Sequence, residues 1–445
     1  MDKFFKISER GSSLGDEFIG GLTTFLAMAY IVFVNPGFLE AAGIPFQAGL
    51  TATCIGAAAM TALMGLVANR PIALASGMGI NAIVAFTLCL GPYAVDWRVA
   101  MAVVFVEGIV ILILVLCGLR KAIMEAIPAD LRRAIGIGIG LFIAFIGLKG
   151  GELIVSDAST YITLGDLSSP VVIVALVGFF VALILQALKV KGGLVISIVV
   201  ATIAAFPLGV TALPESWTFG LDFAAFAAPF QTVVYNDQTV LAIAQIVLQP
   251  ALLLVVFSLL MTDFFDTMGT VLAVGNQANF ADKEGNVEDI QPILLVDSAA
   301  AAVGGFMGAS SITSYVESTS GAASGARTGL SNLVIAALFL VCAFLAPVFG
   351  MVPGAATTGA LVIVGFLMMS EVGNISWDKI ELAFPAFLTI IMIPFTYSIT
   401  NGIGLGFIAY VIIMAVTGKI KEVKPLMWVA ALAFLAMFVL PLFLG

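Results

Sequence analysis

The sequence predicts an all-α polytopic membrane protein of about 14 transmembrane helices arranged in two inverted seven-helix repeats. Three observations carry that prediction. The first is composition: 61% of the 445 residues are hydrophobic, 10% are charged and the mean hydropathy is +1.17, whereas a soluble chain carries about 25% charged residues. The second is spacing, because the charges gather in short segments between apolar runs and about 20 apolar residues cross a bilayer as a helix. The third is a pair of short, weakly apolar, Gly- and Ser-rich segments, RPIALASGMGINAIVAF (70–86) and GASSITSYVESTSGAASGARTG (308–329).

The amino-terminal segment, 1–16, is polar and lacks an apolar h-region, so it reads as a cytoplasmic segment and not as a cleaved signal peptide. The first repeat, 17–206, then has helices near 17–35, 47–67, 78–90, 98–118, 130–149, 170–188 and 192–206, each an apolar run bounded by polar or charged residues. An extracytoplasmic linker, 207–243, follows. The second repeat, 244–418, has helices near 244–275, 293–308, 316–325, 328–350, 355–372, 379–399 and 402–418. The carboxyl-terminal segment, 419–445, carries an extra apolar stretch, 426–444, that this count leaves unused.

Sorting basic residues over the loops supports this topology. With Lys3, Lys6 and Arg10 inside, Arg70, Arg120, Lys121, Arg132, Arg133, Lys189, Lys191, Lys283, Arg327, Lys379, Lys419, Lys421 and Lys424 also fall inside. Only Arg98 and Lys149 fall outside, as expected of a chain whose cytoplasmic loops collect Lys and Arg. The expected location is the plasma membrane, a bacterial inner membrane, with the amino terminus cytoplasmic.

The two Gly- and Ser-rich segments fail as ordinary spans. Each reads as an extended piece followed by a half-helix, which membrane depth tolerates only where protein or a water-filled cavity surrounds the backbone. Paired interruptions of this kind point to a transporter site built from inverted repeats. The halves keep a constant offset: Ser76 and Ser314 are 238 residues apart, as are Thr24 and Thr262. An odd number of spans per repeat turns the second copy over. Small residues kept for close helix packing would explain the glycines but not the polar residues.

SLLMTDFFDTMGT (258–270) places Asp263 and Asp266 within an apolar helix. One Asp at a helix centre costs about 2.5 to 3.5 kcal/mol on insertion scales, so such a residue is a functional candidate. Spaced i and i+3, both can face one cavity; the alternative is an acid bonded to a neighbouring helix to fix packing. The broken segments converge on the same depth, offering half-helix amide donors beside carboxylate acceptors. A small planar molecule with N–H groups and ring-nitrogen acceptors is complementary to that set. The substrate-binding candidates are Asp263, Glu317 in the second broken segment, Asn81 at the comparable place in the first, Thr24 and Ser314.

Histidine is absent, which excludes a Ser/His/Asp triad, a His-type metal site and an imidazole relay. Any proton chemistry falls to Asp and Glu. Cys54, Cys89, Cys117 and Cys342 lie in apolar segments without CxxC spacing and read as small core residues. The net charge of −9 lies in a few loops, and nucleic acid is not a partner. No metal or other cofactor is expected. No nucleophile–base pair is visible, so the chain is not read as an enzyme; an anion carrier on the same repeat plan and an ion channel are the alternatives to a solute symporter.

GGLTTFLAMAYIVFVNP (20–36), GMGINA (77–82), GIGIGLFIAFIGL (136–148), DFFDTMGT (263–270) and TSYVESTSGAASGARTGL (313–330) resemble the AzgA-like purine permeases of the nucleobase:cation symporter-2 group, within the nucleobase/ascorbate transporters. The resemblance runs in order through nearly the whole chain. It implies a core domain, about 17–118 and 244–350, and a gate domain, about 130–206 and 355–445, that forms a homodimer scaffold. It also implies that Asp263 and Glu317 hold a purine base (adenine, guanine or hypoxanthine), that Asn81 assists, and that Asp266 couples protons to import. Relatives that handle uracil often carry a histidine one turn below the first carboxylate, and this chain has none. One proton crossing 100 mV supplies about 2.3 kcal/mol, enough for roughly fifty-fold accumulation.

Overall fold

The computed structural model describes residues 2–118, 127–214, 217, 219–281 and 287–444. Arg120, Lys121 and Lys283, three of the basic residues sorted above, lie outside the described residues. After a short helix α1 (Asp2–Phe5) come α2 (Leu14–Met28), α3 (Ile31–Ala41), α4 (Phe46–Val67), strand β1 (Leu74–Ser76), α5 (Met78–Ala82), α6 (Trp97–Leu116) and α7 (Ala129–Gly150). A hairpin of β2 (Ile154–Asp157) and β3 (Tyr161–Leu164) leads to α8 (Pro170–Ala187) and α9 (Gly193–Ala205). A second hairpin, β4 (Thr232–Tyr235) and β5 (Gln238–Leu241), precedes α10 (Ala242–Leu248), α11 (Ala251–Ala278), α12 (Ile290–Met307), β6 (Ile312–Ser314), α13 (Ser318–Ala323), α14 (Leu330–Ala343) and α15 (Ala346–Phe349). The chain ends with α16 (Gly354–Met369), α17 (Ile380–Phe395), α18 (Ile399–Val416) and α19 (Pro425–Leu444).

This is a mostly helical polytopic membrane protein. Among the described residues nine helical segments are long and apolar enough to cross a membrane, and five shorter apolar helices accompany them. Helix starts follow side-chain chemistry: Ser13, Asp96 and Ser398 accept the backbone N–H of Asp16, Arg98 and Asn401 at the starts of α2, α6 and α18, satisfying donors that a helix start leaves open.

Several elements differ from the sequence reading. The first helix breaks at Ala29 and Tyr30, where Val32 and Phe33 donate to carbonyls three residues back. The helix expected over 316–325 is the six-residue α13. The unused stretch 426–444 forms α19, whose Phe434 packs on Phe257 of α11 and Phe407 of α18. The linker contains the β4–β5 hairpin, closed by Asn236 and Asp237, both at positive φ (48° and 62°).

The two extended pieces meet as an antiparallel pair: Leu74 faces Ser314, Ala75 faces Thr313 and Ser76 faces Ile312. Under the 238-residue offset this register maps onto itself, with Ala75 and Thr313 as the self-paired position, so a pseudo-twofold axis passes there. Their backbone groups are satisfied by surrounding side chains, as non-helical backbone at membrane depth requires. Thr61 Oγ1 donates to the Leu74 carbonyl (2.8 Å) and accepts its amide. Tyr315 donates to the Ser76 carbonyl (2.5 Å), and Asn332 Nδ2 donates to the carbonyls of Arg70 and Ile72.

Helix packing repeats across the same axis. α4 packs on α14 as α12 packs on α6, α14 on α2 as α6 on α11, and α8 on α16 as α17 on α7.

Candidate functional site

Four elements meet around the crossed strands: α11, α12, and the half-helices α5 and α13. Gly77 fixes the turn from β1 into α5 by donating its N–H to the Ser311 carbonyl (2.8 Å). Four residues on, Asn81 is fully buried, and neither its Oδ1 nor its Nδ2 has a hydrogen-bond partner among the described residues. A buried amide with both functions open is uncommon and suits a ligand that offers a donor and an acceptor.

Glu317 stands at the start of α13, half-buried, and the first amides of that half-helix are already bonded, Ser318, Thr319 and Ser320 donating to the carbonyls of Tyr315, Val316 and Glu317. Tyr30, buried at the break between α2 and α3, donates a 2.7 Å hydrogen bond to Glu317 Oε1. α13 lies tight against α2: a Cβ on Gly321 would meet Thr24 Oγ1 at 2.1 Å and the Gly20 carbonyl at 2.5 Å. Thr24, 3% exposed, therefore sits behind the half-helix and seats it.

The two aspartates of α11 occupy different surroundings. Asp263 is 1% exposed, among the packed helices, with Glu107 of α6 as an electrostatic neighbour. Asp266 is exposed and has Asp297 and Glu317 as charged neighbours. The accessible face of α11 begins at Asp266 and continues through Gly269 and Asn276, whereas no residue from Val255 to Phe264 is exposed. Gly269 and Gly136 of α7 both face open space, with no atom within 4 Å of a built Cβ. The surface of each helix is therefore bare at its glycine.

Aromatic rings cluster around Tyr397. Tyr397, in the break between α17 and α18, lies edge-on to Phe142 (5.0 Å), Phe86 (5.4 Å) and Phe145 (5.9 Å), and Phe86 meets Phe38 at 5.5 Å. The Lys149 ammonium stands 4.6 Å from the Tyr397 ring centre, an arrangement the ring quadrupole favours.

Sequence reasoning missed Asp297. Buried on α12, it accepts the Ser314 N–H (2.9 Å) and hydroxyl (2.7 Å) on Oδ1, and the Thr267 hydroxyl (2.6 Å) on Oδ2. It thereby ties β6 to α11 through α12. The hydroxyl of Ser314, a predicted substrate contact, is committed to this bond. Glu107, fully buried at mid-length of α6, was missed as well. The rule applied to Asp263, that an intramembrane acid is a functional candidate, would have found both.

A family described as the Permease family matches residues 15–405. The chain belongs to that family. Over nearly its full length this permease is similar to the guanine/hypoxanthine permease PbuG of Bacillus subtilis, at 41% identity covering 99% of both chains. It is similar also to the adenine permease AdeP of Escherichia coli, at 37% identity covering 98% of this chain and 95% of that one. In fold, the permease resembles the transmembrane domain of the cyanobacterium bicarbonate transporter BicA, with a TM-score of 0.64 at 16% identity, covering 87% of this chain and 97% of that one. The murine Solute Carrier 26 family member A9 anion transporter in the inward-facing state also gives 0.64, at 13% identity, covering 91% and 69%. These two likenesses concern the fold of the permease alone.

Proposed function

We propose that the permease imports purine nucleobases with protons by alternating access. The observation that carries the reading is the site chemistry. Glu317 at the start of α13 and Asp266 of α11 are charged neighbours, and Asn81 of α5, which packs on α11, carries an open buried amide. Purines present N–H donors and ring-nitrogen acceptors on one plane. Full-length similarity to permeases named for guanine, hypoxanthine and adenine supports the same reading.

In this account Asp263, Glu317 and Asn81 hold the base, Ser314 and Thr24 fix the broken helices that present it, and Asp266 takes the coupling proton. Fourteen helices form two inverted seven-helix repeats with α19 as an addition. The core domain, about 17–118 and 244–350, moves against the gate domain, about 130–206 and 355–445, and the gate builds a homodimer in the inner membrane. The mirrored packing of α4 on α14 and α12 on α6 supports that division. The amino terminus is cytoplasmic in this account, so the accessible face of α11 at Asp266 and Gly269 is turned to the cytoplasm and the Tyr397 rings form the outer seal.

Adding adenine, guanine, hypoxanthine, xanthine, uracil or bicarbonate to cells taking up one labelled purine tests the assignment. Purines should compete, and bicarbonate should not. Competition by bicarbonate alone would favour an anion carrier, a reading the concentration of acids at the site opposes.

A further inference from the structure

Glu107 is an acid that the transport scheme so far does not use. None of its side chain is accessible, and neither Oε1 nor Oε2 has a hydrogen-bond partner among the described residues. It cannot swing clear, because α6 is pressed against α12: a Cβ on the adjacent Gly108 would lie 2.2 Å from the Ala302 nitrogen. Among the elements packed on α6, α11 presents Asp263 and α12 presents Asp297 to this carboxyl. The others, α10, the turn Ala228–Phe230 and the π-helical stretch Ile83–Cys89, contain no charged residue.

A packing acid would spend its oxygens on hydrogen bonds, as Asp297 does on Ser314 and Thr267. Glu107 does not. With no donor and no cation facing it, a charge there is cancelled only by a proton. We propose that Glu107 is a second proton-carrying residue of the transport cycle, exchanging a proton with Asp263 as the site opens and closes.

The step balances: the O–H bond on one carboxyl breaks as one forms on the other, and once per cycle the pair takes up a proton from one side of the membrane and releases it to the other. Asp263 then links two events, since the residue proposed to hold the base is also the one whose charge depends on Glu107. The inference rests on the proton-symport reading.

The test compares the parent with Glu107→Gln and Glu107→Asp in proteoliposomes containing entrapped pyranine, measuring protons moved per labelled hypoxanthine together with gradient-free counterflow. This ratio does not depend on how much protein folds. Glu107→Gln should keep counterflow within about threefold of the parent while protons per hypoxanthine fall at least about twofold, and Glu107→Asp should restore the ratio. An unchanged ratio in Glu107→Gln, or loss of counterflow in both variants, would overturn the assignment. If the parent itself moves hypoxanthine without protons, the symport reading fails instead, and this inference falls with it.

Discussion

The phenol of Tyr30 donates a 2.7 Å hydrogen bond to Oε1 of Glu317, joining the break in the first span to the start of the second broken helix. The bond engages only Oε1, and the other carboxylate oxygen is the one proposed to meet substrate. Hydrogen bonds to a charged partner contribute roughly 1.5 to 3 kcal/mol, so Glu317→Gln should weaken purine affinity at least about tenfold. Tyr30→Phe should cost less, about threefold to tenfold, because the carboxylate survives. Equilibrium binding of labelled hypoxanthine to purified protein measures both, and parent-like affinity in Glu317→Gln would remove this residue from the site.

Asp266 and Asp263 should part company when neutralised. Asp266→Asn is expected to retain purine binding and exchange yet lose gradient-driven accumulation, since Asp266 is the proposed proton carrier. Asp263→Asn should damage binding at least as much as Glu317→Gln. Counterflow and gradient-driven uptake, run on the same proteoliposomes, separate the two behaviours; accumulation by Asp266→Asn equal to the parent would rule out its proton role.

Asp297 is expected to act through the strands. Asp297→Ala strands the Ser314 amide and hydroxyl in a buried place and leaves the Thr267 hydroxyl only its Thr313 partner, and each unsatisfied group costs about 1 to 3 kcal/mol. Its thermal unfolding should come several degrees earlier, with purine affinity lowered alongside. Ser314→Ala removes one donor and should shift unfolding by less.

Tyr397 is the hub of the proposed outer seal. Tyr397→Ala deletes three ring contacts and the Lys149 contact together. In a variant whose sole cysteine is Cys89, three residues beyond Phe86, the change should raise the rate of labelling by an impermeant maleimide added outside by at least about threefold. An unchanged rate would place the closure elsewhere.

The broken segments were legible because their composition violates what a lipid-embedded helix needs, and the 238-residue offset put Ser76 and Ser314 in equivalent places. The strand pairing itself was not foreseen, although its register is consistent with that offset and maps onto itself through Ala75 and Thr313. Direction was not legible. The i, i+3 spacing of Asp263 and Asp266 allows a shared face, yet tertiary packing buries one and opens the other. Thr24 was found by symmetry, but whether it faces substrate or Gly321 depends on how closely α2 and α13 approach. The β4–β5 hairpin did carry a signal, since Asn236 and Asp237 tolerate the positive φ that a two-residue turn demands, but a linker reading passed over it.

The central claim is tested most directly by purified protein in liposomes with an imposed inside-alkaline pH gradient and labelled hypoxanthine outside. The account predicts accumulation above equilibrium that a protonophore abolishes and that excess adenine or guanine suppresses. Saturable uptake that stops at equal concentrations on both sides, gradient or not, would contradict it.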